Sequence, residues 1–129
     1  MKPGKGYYFL RVAPWLWMAL IFWLSSRPTL PSAPTYWLDV LFKKSGHMVM
    51  FGVLAFLWYR ALRTWDIPSH RARSWALAFT VVYALTDEFH QRFVPGRTPR
   101  FTDVLIDTVG ATFSLYWRRL LPGTGEPLR

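Results

Sequence analysis

Four long stretches of this chain are dominated by apolar residues, and polar segments rich in proline or basic residues separate them. They run over 7–26 (YYFLRVAPWLWMALIFWLSS), 45–63 (SGHMVMFGVLAFLWYRALR), 74–94 (SWALAFTVVYALTDEFHQRFV) and 101–121 (FTDVLIDTVGATFSLYWRRLL). Each holds about 20 residues, which as a helix covers a hydrocarbon core of roughly 30 Å. The strictly uncharged runs inside them are shorter, at 12–26, 45–59, 74–86 and 108–117. A soluble bundle is the competing reading, but it requires a polar face on each helix. Val12–Leu24 and His47–Tyr59 are apolar or aromatic almost throughout. The pattern predicts an all-α fold, an integral membrane four-helix bundle forming one domain over 1–121, with a short polar tail at 122–129.

The connections carry the expected breakers. Loop 1 contains Pro28, Pro31 and Pro34, and its YWLDVLF piece (36–42) reads as a short interfacial helix. Loop 2 is TWDIPSHRAR, and loop 3 opens on Pro95-Gly96, a turn signal. The first stretch lacks a small-x-small cleavage site and reads as a retained signal anchor. Arg11, Arg60, Arg63, Arg118 and Arg119 sit where their heads can snorkel. Trp15, Trp17, Trp58, Trp65, Trp75 and Trp117 lie near span ends, as an interfacial belt requires.

Composition sharpens this picture at two points. Aromatic residues make up 19% of the 129 residues and the formal charge is +9. A basic balance raises nucleic acid as a partner, but the Lys and Arg residues fall between apolar runs instead of clustering, so no nucleic acid is expected. The N-terminus, loop 2 and the C-terminus hold ten Lys and Arg, against six in loops 1 and 3. That bias predicts a multi-pass protein of the cell membrane with both termini cytoplasmic. The absence of Cys excludes a disulfide scaffold, a Cys-ligated zinc and a thiol nucleophile.

The candidate chemistry lies in the acids. Asp87, Glu88, Asp103 and Asp107 fall inside the apolar stretches, together with His47, His90 and Gln91. A charge at mid-bilayer costs on the order of 3 kcal/mol on the insertion scale, so such groups are functional candidates. Helical rise places His47 roughly 5 Å below Lys44, Asp87 roughly 10 Å below Val94 and Asp107 roughly 9 Å below Phe101. All three ends lie on the side of loops 1 and 3. Helical phase puts Thr80, Tyr83, Asp87, His90 and Gln91 on one stripe, and Asp103, Asp107, Gly110 and Ser114 on another. Glu88 falls about 100° from Asp87 and is expected to face a different neighbour. The result is one polar layer just under one membrane face, neutralised by Lys43, Lys44, Arg97 and Arg100. The bland alternative is a polar network that only locks the helices together. His70 reads as a solvated loop residue, and Gly52 and Gly110 as close-packing positions.

The pieces IFWLSSRP (21–28), KSGHMVMFGVLAF (44–56), ALTDEFHQRFVPGRT (84–98) and DVLIDTVGA (103–111) resemble the VanZ-like membrane proteins, a family named for a teicoplanin-resistance accessory protein. The resemblance covers about three-quarters of the chain, and its most specific block joins Asp87, Glu88, Gln91, Pro95, Gly96 and Arg97. It implies a small helical membrane protein of the cell envelope with polar positions at Lys44, His47, Asp87, Glu88, Gln91, Arg97 and Asp103. It implies no reaction. Asp107 stands where the family usually has Asn, and Arg27 where Gln is common.

Three functions compete. A binding protein or modulator would hold an anionic or polar headgroup, such as a phospholipid headgroup or a lipid-linked cell-wall precursor. In it Lys44, Arg97 and Arg100 contact the anion while Asp87 and Glu88 orient them. A membrane-embedded hydrolase or transferase acting on a lipid-linked phosphate would use His47, Asp87 or Glu88 as catalytic groups. Ser45-Gly46-His47 resembles the Ser-Gly-His element of lipid-phosphate phosphatases, without the accompanying spacing. A metal variant would draw on His47, Asp87, Glu88, His90 or Asp103, but no recognised metal motif is present and no cofactor is expected. A proton or ion pathway through the same acids would require oligomerisation. The sequence leaves enzyme status, metal and oligomeric state open.

Overall fold

The computed structural model describes residues 5–26, 36–95 and 101–120. Four α-helices account for nearly all of them: α1 (Lys5–Ser25), α2 (Tyr36–Arg63), α3 (Ser69–Gln91) and α4 (Phe101–Leu120). Among the described residues there is no strand.

Three boundaries differ from the sequence reading, each for a physical reason. α2 begins at Tyr36 and runs unbroken through the 36–42 piece expected as a separate interfacial helix. The charges at Asp39, Lys43 and Lys44 end an apolar run, but they do not break a helix. α3 begins at Ser69, directly after Pro68, so half of the expected loop 2 is helical. It ends at Gln91 with Arg92 as its C-cap, ahead of Pro95, whose ring disfavours a helical residue before it. Between α2 and α3 the chain turns at Asp66, which takes φ 59, a left-handed conformation that Asp tolerates better than most residues.

α2 packs against all three other helices, most extensively against α4, whereas α1 and α3 touch little. Gly52 and Gly110 make the α2–α4 approach possible. A Cβ on Gly52 would lie 3.2 Å from the Gly110 carbonyl oxygen. Tyr83 donates to the Met18 carbonyl (2.6 Å) and Trp17 Nε1 to that of Met50 (2.8 Å), which ties α1 to α3 and α2. Trp17 thus works inside the bundle and not in the expected interfacial belt.

Two apolar clusters fill the interior. One joins Ala55, Leu62, Ala72, Ala76, Ala111 and Leu115 near the α2–α3 turn. The other joins Ile21, Phe51, Leu54, Ala84 and Val104, closer to the opposite end. Much of this core is alanine, while large residues such as Phe9, Trp15, Leu41, Phe42, Val82, Phe89 and Phe113 are exposed. One helix among the described residues is long and apolar enough to cross a membrane by length and composition, at Gly6–Ser25. The expected four apolar spans therefore reduce to one by that measure. Charged groups interrupt α2, α3 and α4, and several of those groups are buried inside the bundle.

Near the α2–α3 turn, Arg11 is clasped between two rings, 4.2 Å from the Tyr7 centroid and 4.0 Å from that of Trp65. Its Nε donates to Thr64 Oγ1 at 3.0 Å, and it also bonds the Tyr7 hydroxyl, which in turn donates to the Thr64 carbonyl. A side chain expected to snorkel outward instead fastens α1 to the end of α2. Arg73 is likewise buried, with its guanidinium 5.2 Å from the Tyr59 ring.

Candidate functional site

The polar residues of α2, α3 and α4 converge at the end of the bundle where α2 and α4 begin and α3 finishes. Residues one turn apart on a helix share a face, so Lys44 and His47 on α2 meet Asp103 and Asp107 on α4 in matching pairs. Lys44 Nζ lies 3.4 Å from Asp103 Oδ1, and this pair is partly open, with side chains 41% and 33% exposed. One turn deeper, His47 Nδ1 lies 3.5 Å from Asp107 Oδ1. Asp107 is only 3% exposed, and that oxygen has no well-formed hydrogen bond. The His47 ring lies nearly parallel to Phe51 at 6.2 Å, so the core cluster around Phe51 forms the floor below the polar layer.

The α3 contribution is Asp87, Glu88 and Gln91, all buried. Gln91 Nε2 donates to Asp87 Oδ2 at 3.1 Å. The same Nε2 lies 3.5 Å from Ser25 Oγ, which brings the end of α1 to this pair. Glu88 has no hydrogen-bonding or ionic partner among the described residues. A buried acceptor without a donor is costly, so Asp107 Oδ1 leaves acceptor capacity open in this layer.

Of the sequence-predicted site residues, the structure brings Lys44 to Asp103, His47 to Asp107, and Asp87 to Gln91. His47 also lies within the electrostatic reach of Asp87 and Asp103. His90 lies one turn from Asp87 on α3 and faces α1. Its ring stacks on Phe22 at 4.5 Å, and its Nδ1 is buried without a hydrogen bond. Arg97 and Arg100 lie outside the described residues. Among the described residues, no group of three or more His, Asp or Glu side chains is placed to hold a metal ion.

Ser25 was not expected here. It lies at the end of the most apolar helix and is 4% exposed. The Ser25-Ser26 pair that ends α1 was the one signal of a polar contribution from that helix.

Residues 12–121 match the family model described as VanZ/LLP1. The chain belongs to the VanZ/LLP1 family. That match spans every helix contributing to the polar layer, and it agrees with the resemblance carried by the Asp87–Arg97 block. No curated protein and no solved structure matches the chain.

Proposed function

We propose that this VanZ/LLP1 protein is a multi-pass membrane protein of the cell envelope whose polar layer binds the headgroup of an envelope lipid. The observation that supports the membrane placement is the inversion of the usual burial pattern. Alanines and ionisable groups lie inside while Trp, Phe, Leu and Val cover the outside. In water such a surface would aggregate. In lipid it costs nothing, and small residues at helix contacts are what close packing in a bilayer requires. Only 22% of the most apolar window of α1 is buried, which a core helix of a soluble bundle would not tolerate.

The observation that supports the binding role is the partly open Lys44–Asp103 pair above the closed His47–Asp107 and Asp87–Gln91 contacts. Lys44 would meet a phosphate, joined by Arg97. Asp103 would accept hydrogen bonds from hydroxyl or ammonium donors on the same headgroup, with Asp87, Glu88, Gln91 and His47 orienting the binding groups from beneath. A phospholipid headgroup and a lipid-linked cell-wall precursor both carry that combination. The resemblance to a teicoplanin-resistance protein fits an activity at the outer face.

The His47–Asp107 contact favours a second reading, a hydrolase or transferase acting on a lipid-linked phosphate. An aspartate on Nδ1 orients an imidazole and leaves its other nitrogen for proton transfer or attack. In that case His47→Ala abolishes turnover while binding persists.

The test is teicoplanin and vancomycin susceptibility of a sensitive Gram-positive host expressing wild type or Asp87→Asn at matched membrane levels. Protection by wild type that the variant lacks supports the reading. Equal protection by both removes Asp87 from the function, and protection by neither removes the link to resistance.

A further inference from the structure

α2 and α4 run in the same direction, and their outer seam holds a groove of about 670 Å³. Its walls are Val49, Val53 and Phe56 on α2 and Val109, Phe113 and Trp117 on α4. Its floor is the close approach of Gly52 and Gly110. Ser114 donates its hydroxyl to the Gly52 carbonyl at 2.7 Å, so its proton is not available to an occupant. The volume falls within the range of roughly 300–1,000 Å³ typical of ligand pockets.

The position of the groove is informative. Its upper end, at Met48 and Val109, begins just below the Lys44–Asp103 pair. Its lower end, at Phe56 and Trp117, is roughly 12 Å further along the helix axes. It therefore starts beneath a charged, partly open headgroup position and descends along the bundle, as the hydrocarbon chain of a lipid does. Val49, Val109 and Phe113 are 63%, 57% and 62% exposed, so a fully apolar wall stands uncovered below a polar cap.

We propose that this groove seats the hydrocarbon chain of an anionic membrane lipid whose phosphate is held at Lys44. The inference rests on the headgroup reading above and adds the second half of the ligand: an amphiphile, bound by both ends, not a soluble anion. Two chemically different contacts then set selectivity, a charge at the mouth and a hydrocarbon chain of matching length along the seam.

The test uses the full chain in phosphatidylcholine vesicles with a trace of phosphatidic acid carrying a diazirine midway along one acyl chain. A diazirine fatty alcohol serves as the probe without a phosphate. Phosphatidic acid adducts are expected on 48–56 and 109–117. Val109→Trp and Val53→Trp, which fill the groove from opposite walls, should each remove those adducts and leave labelling of α1 unchanged; unchanged α1 labelling shows that the variants remain folded. Adducts spread evenly over the exposed faces, α1 included, would overturn the proposal. So would crosslinks between protein copies at 48–56 and 109–117 in place of lipid adducts. Lys44→Ala should lower labelling by phosphatidic acid but not by the fatty alcohol. If instead both probes label the groove equally and Lys44→Ala changes neither, the headgroup reading fails while the groove remains a chain site.

Discussion

Gly110 of α4 lies against the main chain of Met48 of α2, so closely that an added Cβ would come within 3.0 Å of the Met48 carbonyl carbon and Cα. The contact is backbone on backbone, and nothing in it can rotate away. Gly110→Ala must push α2 and α4 apart at the level of the polar layer. Overpacking of this kind costs about 1–3 kcal/mol. At Gly52 the equivalent contact is 3.2 Å, so Gly52→Ala requires a smaller shift. The gain in helix propensity, about 1 kcal/mol, offsets much of it. Thermal unfolding in detergent should rank Gly110→Ala well below Gly52→Ala, with Gly52→Ala close to wild type.

His47 and Asp107 form the deepest contact of the layer, with the Asp107 side chain 4% exposed. His47→Leu strands a buried carboxylate and should cost about 1–3 kcal/mol. Combining it with Asp107→Leu removes the stranded group as well as its partner, and stability should return most of the way. A double-mutant cycle on unfolding midpoints measures the coupling. A double variant that is stable yet inactive would separate the role of the pair in function from its role in packing.

Ser25 reaches the layer from α1 and accepts from Gln91 Nε2 at 3.5 Å, the amide that also donates to Asp87. Ser25→Ala should lower stability by about 1 kcal/mol, the worth of one hydrogen bond. It should also impair function in the same direction as Asp87→Asn. Susceptibility assays on the two variants at equal membrane levels check whether they share a phenotype.

Arg11 between Tyr7 and Trp65 offers a contrast that charge alone does not explain. Arg11→Lys keeps the charge but loses the planar guanidinium stacked on two rings. The loss should be about 1–2 kcal/mol. Arg63 is exposed and donates to the Ile67 carbonyl at 2.8 Å. Arg63→Lys should stay within about 0.5 kcal/mol of wild type. Unfolding midpoints of the two variants make the comparison.

The apolar runs showed where four helices lie, because a stretch of that length without a breaker has few other ways to satisfy its backbone. They did not show where α2 begins, since Asp39, Lys43 and Lys44 interrupt hydropathy without interrupting the helix. Helical phase was enough to unite Asp87 with Gln91 and to stack Lys44 over His47 opposite Asp103 and Asp107. It could not tell that His90 would stack on the Phe22 ring, because that contact depends on how α1 crosses α3. For the same reason Ser25 was invisible as a site residue, and Arg11 and Trp17 were read as outward-facing when each has its partner inside the bundle. Glu88, about 100° around the helix from Asp87, was expected to face a different neighbour, and its burial is compatible with that. Residue type and spacing carry the contacts within a helix, and the contacts between helices depend on crossings that no local pattern encodes.

The central claim is that the bundle crosses the membrane with its polar layer under the outer face. The chain contains no Cys, so single cysteines report without background. The decisive measurement is labelling of Ser32→Cys in loop 1 and His70→Cys at the start of α3 by a membrane-impermeant maleimide, on intact and on permeabilised cells. The account predicts that Ser32→Cys reacts on intact cells and that His70→Cys reacts only after permeabilisation. Reaction of both on intact cells, or of His70→Cys alone, would contradict it.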